Sequence, residues 1–287
     1  MSKRALKKLI DANIVRGWDD PRLYTLIALR RRGVPPEAIL SFINELGVTT
    51  AKTLIKISRF EQSIRRYLEM RVPRLMLILD PLPLVIEDVE TLSPDQLELD
   101  IPFFPKDPTM GSHLLRLTKT IYIERTDFRE TDSEDYFRLA PGKIVGLQHA
   151  PYPIKAVSYT KEDSSDGGKI TEVRAIFVKE VTKRPKTYIH WVPEGSLRVE
   201  ARVYGQLFKS DDPSAVEGGF LNDVSPNSET IYHGLVEPGF DEVRRRAPWP
   251  EAAGEKTGTY GLESVRFQGV RVAYFVRIKL PAFVMAR

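Results

Sequence analysis

The sequence predicts an α+β protein in which a small helical subdomain precedes mainly antiparallel β structure, and three observations carry that expectation. Up to about Pro73, apolar residues recur at helical spacing. After Pro73 they fall into short runs rich in β-branched and aromatic residues. No helical pattern alternates between those runs, which disfavours a parallel βαβ sheet and leaves antiparallel barrels or sandwiches.

Taken in order, residues 1–10 form a short, basic, amphipathic stretch. Asp20 before Pro21 reads as a helix N-cap followed by proline at the first helical position, with Leu23, Leu26, Ile27, Ile39 and Leu40 as apolar faces. Gly33 and Gly47 stand where helix C-caps belong. Ser58 and Glu61 read as a capping box ahead of Phe60, Ile64, Tyr67 and Leu68, and Pro73 ends that helix at or before Val72. Strands are expected over 74–79, 84–87, 120–124, 175–178, 188–192, 197–203 and 265–268, with turn clusters at 81–83, 163–168 and 211–213.

A chain of 287 residues is long enough for one large or two modest domains. It has no cysteine, and none of its four histidines (His113, His149, His190, His233) pairs at zinc-ligand spacing, so no disulfide and no metal is expected. Residues 1–10 lack the apolar run of a signal peptide, and nowhere do about 18 apolar residues follow one another. A soluble cytoplasmic protein is the expectation. The formal charge of +4 is unevenly spread: residues 1–74 hold 16 Lys and Arg against 7 Asp and Glu, or +9, while the remainder holds 27 against 32, or −5. The first quarter therefore carries the field that would face a polyanion.

The chain opens on Met1-Ser2-Lys3-Arg4 and reaches Gly17-Trp18-Asp19-Asp20-Pro21-Arg22, then Leu29-Arg30-Arg31-Arg32-Gly33 and Pro36-Glu37-Ala38-Ile39. This series resembles the class I aminoacyl-tRNA synthetases of the glutamine and glutamate branch from the KMSKS-type loop onward, and Leu29 to Gly33 with Pro35 to Ala38 favours the glutaminyl side. The resemblance implies that Lys3 is the catalytic lysine that neutralises charge building on the ATP phosphates, with Ser2 and Arg4 also facing the nucleotide. ATP, with Mg in the full-length family member, is the implied cofactor. The family's His-x-Gly-His, carried on a nucleotide-binding Rossmann half, is absent from these residues. The chain is therefore expected to be the carboxyl-terminal half, to hold no ATP stably by itself and to be inactive alone.

The β-rich part resembles the family's anticodon-binding region along Pro73-Arg74-Leu75, residues 108–112, 121–124 with 127–129, 136–139, 189–192 and 265–267. The resemblance implies two barrels after a catalytic-region remnant at 1–72: one at about 73–129 plus 226–287, the other at about 130–225. Single-stranded bases are read by stacking and by hydrogen bonds to exposed edges, and the planar arginine fork serves both. By the family pattern Arg74 meets the central anticodon base and Arg138 the third. Arg266 stands where relatives often carry glutamine, and a basic position of bacterial relatives falls at Gly146, so the first base must be read differently. Lys52 and Lys56 lie on the segment that follows the inside of the tRNA and imply phosphate contacts, which position without specifying. Trp18, Trp191 and Trp249 are expected to pack. After Phe275 the sequence departs from the pattern, and Leu280 onward is expected to complete a barrel only imperfectly. The implied partner is tRNA(Gln), bound by a monomer, with other synthetases as further candidate partners and neither DNA nor membrane. A glutamyl-tRNA synthetase and a free-standing, non-catalytic tRNA-binding module are the rival expectations.

Overall fold

The computed structural model describes residues 2–47, 50, 55–163, 168–180, 184–251, 261–279 and 282–286, the last five and Lys279 by backbone alone. Its helices are α1 (Lys3–Asp11), α2 (Leu26–Arg31), α3 (Pro36–Leu46), α4 (Ile57–Glu69), α5 (Pro94–Leu97) and α6 (Phe240–Arg246). Its strands are β1 (Arg74–Leu75), β2 (Leu77–Ile78), β3 (Pro81–Ile86), β4 (Glu98–Pro102), β5 (Ser112–Arg116), β6 (Thr120–Glu124), β7 (Ile144–Leu147) and β8 (Ile154–Lys161). They continue as β9 (Ile170–Phe177), β10 (Tyr188–Ile189), β11 (Trp191–Pro193), β12 (Leu197–Tyr204), β13 (Glu229–Val236), β14 (Arg266–Gly269), β15 (Ala273–Lys279) and β16 (Ala282–Ala286). The chain forms two compact units: Met1–Pro73 with Glu200–Tyr232 and Arg246–Arg287, and Arg74–Val199 with His233–Arg245. No helix among the described residues is long and apolar enough to cross a membrane.

In the first unit, each helix begins where a local acceptor or an extended residue releases it. Ser2 Oγ caps α1 by accepting the Ala5 N–H at 3.3 Å, and Thr25 Oγ1 caps α2 by accepting that of Ala28 at 3.1 Å. Asp20 is therefore not the expected N-cap. Fully buried, it takes the N–H groups of Arg16 and Arg22, each at 3.0 Å, and grips the Arg22 guanidinium at 2.8 and 2.9 Å. A carboxylate with that many donors ties a turn shut, because a buried charge is tolerable only when fully paired. The capping box at Ser58 is also absent: α4 starts two residues earlier than that cap implies, at Ile57 with Lys56 as its uncapped N-cap, and Glu61 instead accepts from the Tyr24 hydroxyl at 3.1 Å. Gly33, just past the end of α2, and Gly47, at the C-cap of α3, have φ of +78° and +72°, as C-capping requires.

The apolar faces expected at Leu26, Ile27 and Leu40 point to solvent, while Ala28, Leu29, Ala38 and Phe42 are buried. Small alanines on the inner stripe allow close approach, and that decides which of two apolar stripes turns inward. Leu9, Val15, Leu23, Ala28 and Leu207 make one shared core. The β part runs β14-β15-β16-β12-β13. In it β16 pairs antiparallel with β15 and parallel with β12, for example Phe275↔Met285 and Ala201↔Phe283. Ala282–Ala286 is thus a strand inside a sheet rather than an imperfect end.

The second unit is built on a seven-stranded sheet of order β10-β7-β8-β9-β3-β6-β11. Its two edge strands, β10 and β11, are separated in sequence by His190 alone, so the sheet curls until its edges meet and forms a nearly closed barrel. Alternate residues of β3, β6 and β9 fill the interior, among them Leu82, Leu84, Ile121, Ile123, Val173 and Ala175, all completely buried. Antiparallel pairing dominates, with parallel contacts at β3·β9 and β10·β7. Residues 81–83, expected to turn, open β3: both prolines lie opposite β6, and the parallel neighbour β9 joins only from Leu84, so neither is asked to donate to it. The hairpin β4·β5 and strands β7, β8 and β13 were not expected from the sequence.

Candidate nucleic-acid interface

Arg74 leads into β1 directly after Pro73, and its backbone N–H donates to Phe103 O at 2.8 Å. Its guanidinium lies over the Phe104 ring, 4.6 Å from the centroid, with Phe103 and Phe104 both fully buried beneath it. Phe103 is itself stacked on His113 at 4.7 Å. Arg74 is half-buried, and its Nε, itself out of solvent, has no hydrogen-bond partner among the described residues. Stacking occupies one face of the guanidinium, and with Nε buried it is the Nη end of the fork that could meet a second planar group.

Arg138 is set differently. Its side chain is 39 % exposed, and Nη1 lies 2.9 Å from Oδ1 of the fully buried Asp127 and 3.3 Å from Thr126 O. Behind that carboxylate sits His190, whose Nδ1 is 4.0 Å from Asp127 Oδ2 and whose Nε2 lies 3.0 Å from Leu77 O. A carbonyl can only accept, so the imidazole proton on Nε2 points at Leu77 and fixes the ring. Arg138 thus stands on a buried, charged support with part of its fork in solvent.

Arg266, the third expected base reader, is enclosed. It is 9 % exposed, with Nε donating to Gly33 O at 2.5 Å and Nη1 to Trp249 O at 2.7 Å. Burial pulls its pKa down to about 10, still far above neutrality. It joins a helix end, a loop and β14 within the first unit. Of the tryptophans, Trp191 and Trp249 are buried as expected, whereas Trp18 is 39 % exposed.

Ser2, Lys3 and Arg4 are exposed at the start of α1. The expected loop is thus the cap and first turn of a helix, a position whose free N–H groups and dipole favour an anion. Lys56 is exposed at the N-cap of α4, and Lys52 lies outside the described residues. At Gly146 an added Cβ would collide with the ring of Tyr188, its register partner across β7·β10. Asp127, His190 and Phe104, the groups around Arg138 and Arg74, were not identified as functional from the sequence. Their partners are distant in sequence, and no local pattern marks them.

Two family models described as tRNA synthetases class I (E and Q), anti-codon binding domain, match residues 72–178 and 188–247, and the corresponding catalytic-domain model matches residues 1–70. The glutamine–tRNA ligase protein virJ of Hypocrea virens is 64 % identical over 276 residues, covering 96 % of this chain and 42 % of that protein. The glutamine–tRNA ligase of Saccharomyces cerevisiae is 44 % identical, covering 96 % of this chain and 36 % of that protein. That of Bos taurus is 38 % identical, covering 94 % and 34 % respectively. The chain thus spans 42 % or less of the length of these relatives. With the three models together covering most of its residues, the chain belongs to the class I glutamine and glutamate tRNA synthetases.

Proposed function

We propose that this chain serves the ATP-dependent attachment of glutamine to tRNA(Gln), contributing the anticodon-reading surface and the lysine that closes over ATP. The observation that carries the reading is the presentation of Arg74 on Phe104 and of Arg138 on Asp127, within residues matched by anticodon-binding models. Arg74 reads the central base and Arg138 the third, each with the outward edge of its fork. Arg266 acts as a positioning residue, since its Nε and Nη1 are committed to backbone carbonyls.

Lys56, and Lys52 on the same segment, contact phosphates and so set orientation without sequence preference. Ser2, Lys3 and Arg4 would face the triphosphate, where ATP with its Mg would supply the adenylyl group taken by the glutamine carboxylate, with pyrophosphate leaving, and Lys3 would offset charge developing on the α-phosphate. The anticodon region is assigned to 73–287 with two barrels, at about 73–129 plus 226–287 and about 130–225, and residues 1–72 to the end of the catalytic region. A cytoplasmic monomer is the state in which we place it, with other synthetases as candidate neighbours.

The test is binding of the 287-residue chain to tRNA(Gln) and to transcripts altered singly at each anticodon base, at one fixed salt concentration. Cognate tRNA should bind tighter at every position. Arg74→Ala should narrow that gap at the central base and Arg138→Ala at the third, each by about 1–3 kcal/mol. Equal losses on all transcripts would reduce both arginines to phosphate clamps.

A further inference from the structure

The second unit leaves two large aromatic rings about half in solvent, Tyr188 and, on the residue before Arg138, Phe137. Tyr188, the first residue of β10, is 53 % exposed, while the next residue, Ile189, is fully buried in the barrel. The Tyr188 ring is set down on the backbone of Gly146, where any side chain would push it away. Phe137, immediately before Arg138, is 46 % exposed and has the Lys186 ammonium 5.1 Å from its ring centroid. Lys186, two residues before Tyr188 in the chain, thus sets a cation on Phe137.

We infer that Tyr188, with Phe137 and Lys186 beside it, is a platform on which one splayed base of a single-stranded RNA loop stacks, next to the base taken by Arg138. The inference rests on the tRNA-binding reading above and extends it to residues that the family comparison leaves without a role. Three arguments carry it.

The first is geometry. Tyr188 and Arg138 hang from one scaffold, because His190, two residues after Tyr188, faces the same Asp127 carboxylate that holds Arg138. A base on Tyr188 would therefore lie on the same supporting strand-and-carboxylate arrangement as a base at Arg138. The second is chemistry: an aromatic face with a cation alongside is the pairing that holds unpaired bases, since every base offers a π face and every linkage a phosphate. The patch is small and rimmed by Lys186 and Arg138, which suits an anionic strand better than an apolar protein surface. The third is the glycine. Gly146 gives up its Cβ so that the Tyr188 ring can rest on backbone, which fixes the ring in place before a ligand arrives and lowers the ordering cost of stacking.

The experiment uses the 287-residue chain and the anticodon stem-loop of tRNA(Gln), with 2-aminopurine placed in turn at each loop position. Wild type should quench strongly at one position flanking the base assigned to Arg138. Tyr188→Phe should keep both quench and affinity. Tyr188→Leu, which still covers Gly146 but has no π face, should lose the quench and weaken binding about 5- to 150-fold, the fold-change equivalent of the ~1–3 kcal/mol that base stacking contributes. Gly146→Ala should act in the same direction by displacing the ring. Arg138→Ala should weaken binding but leave the Tyr188 quench. Thermal melting should be nearly unchanged for Tyr188→Leu, because the ring is mostly in solvent. Wild-type affinity and quench in Tyr188→Leu would overturn the platform while leaving the tRNA reading intact. No binding of the stem-loop by wild type would overturn both.

Discussion

Arg266 in the first unit and Arg138 in the second invite the same expectation, yet their surroundings separate them. Arg266 spends Nε and Nη1 on the carbonyls of Gly33 and Trp249 and is 9 % exposed. Arg138 rests one nitrogen on the buried Asp127 and keeps 39 % of its side chain in water. The same side chain thus serves as an internal strut or as a presented reader. What decides between them is whether its N–H edge faces acceptors of the fold or the solvent. Arg22, gripped by Asp20 and donating also to Ser228 at 3.0 Å, is a second strut in the first unit.

The largest expected effect breaks the strut. Arg266→Ala leaves two buried carbonyls without their donors and should cost about 2–5 kcal/mol of stability, read by denaturant unfolding, with anticodon preference unchanged in whatever fraction stays folded. A selective loss of discrimination with normal stability would reverse the assignment. Gly33→Ala attacks the same corner from the other side. Its φ of +78° is strained for alanine, and the new Cβ would overlap the Val276 side chain, so about 2–4 kcal/mol is expected. Gly47→Ala, at φ +72° with open space around it, should lose only the conformational part, about 1–2 kcal/mol.

The reader should show a different profile. Arg138→Ala is expected to cost about 1–3 kcal/mol of stability, less than Arg266→Ala because the arginine side of the pair is partly solvated but not negligible because it takes a donor from the fully buried Asp127, while third-base discrimination falls. Asp127→Asn, which keeps shape but removes the charge beneath both Arg138 and His190, should cost about 1.5–3 kcal/mol and also blunt discrimination. Full discrimination in Asp127→Asn would show that Arg138 needs no support to read.

Much of this layout was legible in the sequence because it rests on local backbone chemistry. Gly33, Gly47 and Pro73 punctuate the helical part where expected, and β-branched runs such as Thr120 to Glu124 became strands. What was hidden depends on distant partners. Asp20 resembles a cap until Arg22 folds back on it, and Pro81 and Pro83 resemble a turn until the register of β9 shows them spared from donating. Strands such as β4 and β13 alternate poorly, with no buried position among the first three residues of the one and the first five of the other, so periodicity could not find them. Arg74 and Arg138 were visible through resemblance. Their supports, 30 and 11 residues away at Phe104 and Asp127, were not.

A smaller effect sharpens the contrast through pH. Burial, followed by the nearby Glu229 carboxylate, pushes Tyr204 in the first unit up to about 12. An acid whose folded pKa is raised binds its proton more tightly in the folded state, so its stabilisation is complete below the ordinary value near 10. It is then lost as pH climbs toward 12, by up to about 1.4 kcal/mol per unit traversed. Melting temperatures between pH 9 and 11.5 should fall, and Tyr204→Phe should fall less steeply. Tyr136, also raised to about 12 by burial, contributes the same sign in the second unit, so the difference between wild type and Tyr204→Phe isolates the first.

The smallest expected effect tests whether the basic helical part positions RNA rather than reads it. Lys56 is exposed at the N-cap of α4 and touches no acid within bonding distance among the ion pairs of the described residues, so its ammonium is available to a phosphate. If it neutralises one phosphate, Lys56→Ala should lower the slope of log affinity against log salt by roughly 0.7 to 0.9, whether the anticodon is cognate or altered. Arg138→Ala should lower it by a similar step at most but change the ratio between the two tRNAs. Titrations at four salt concentrations on both tRNAs separate the roles: a Lys56→Ala effect confined to cognate tRNA would make that lysine a reader, and an unchanged slope would leave it a solvated cap with no part in binding.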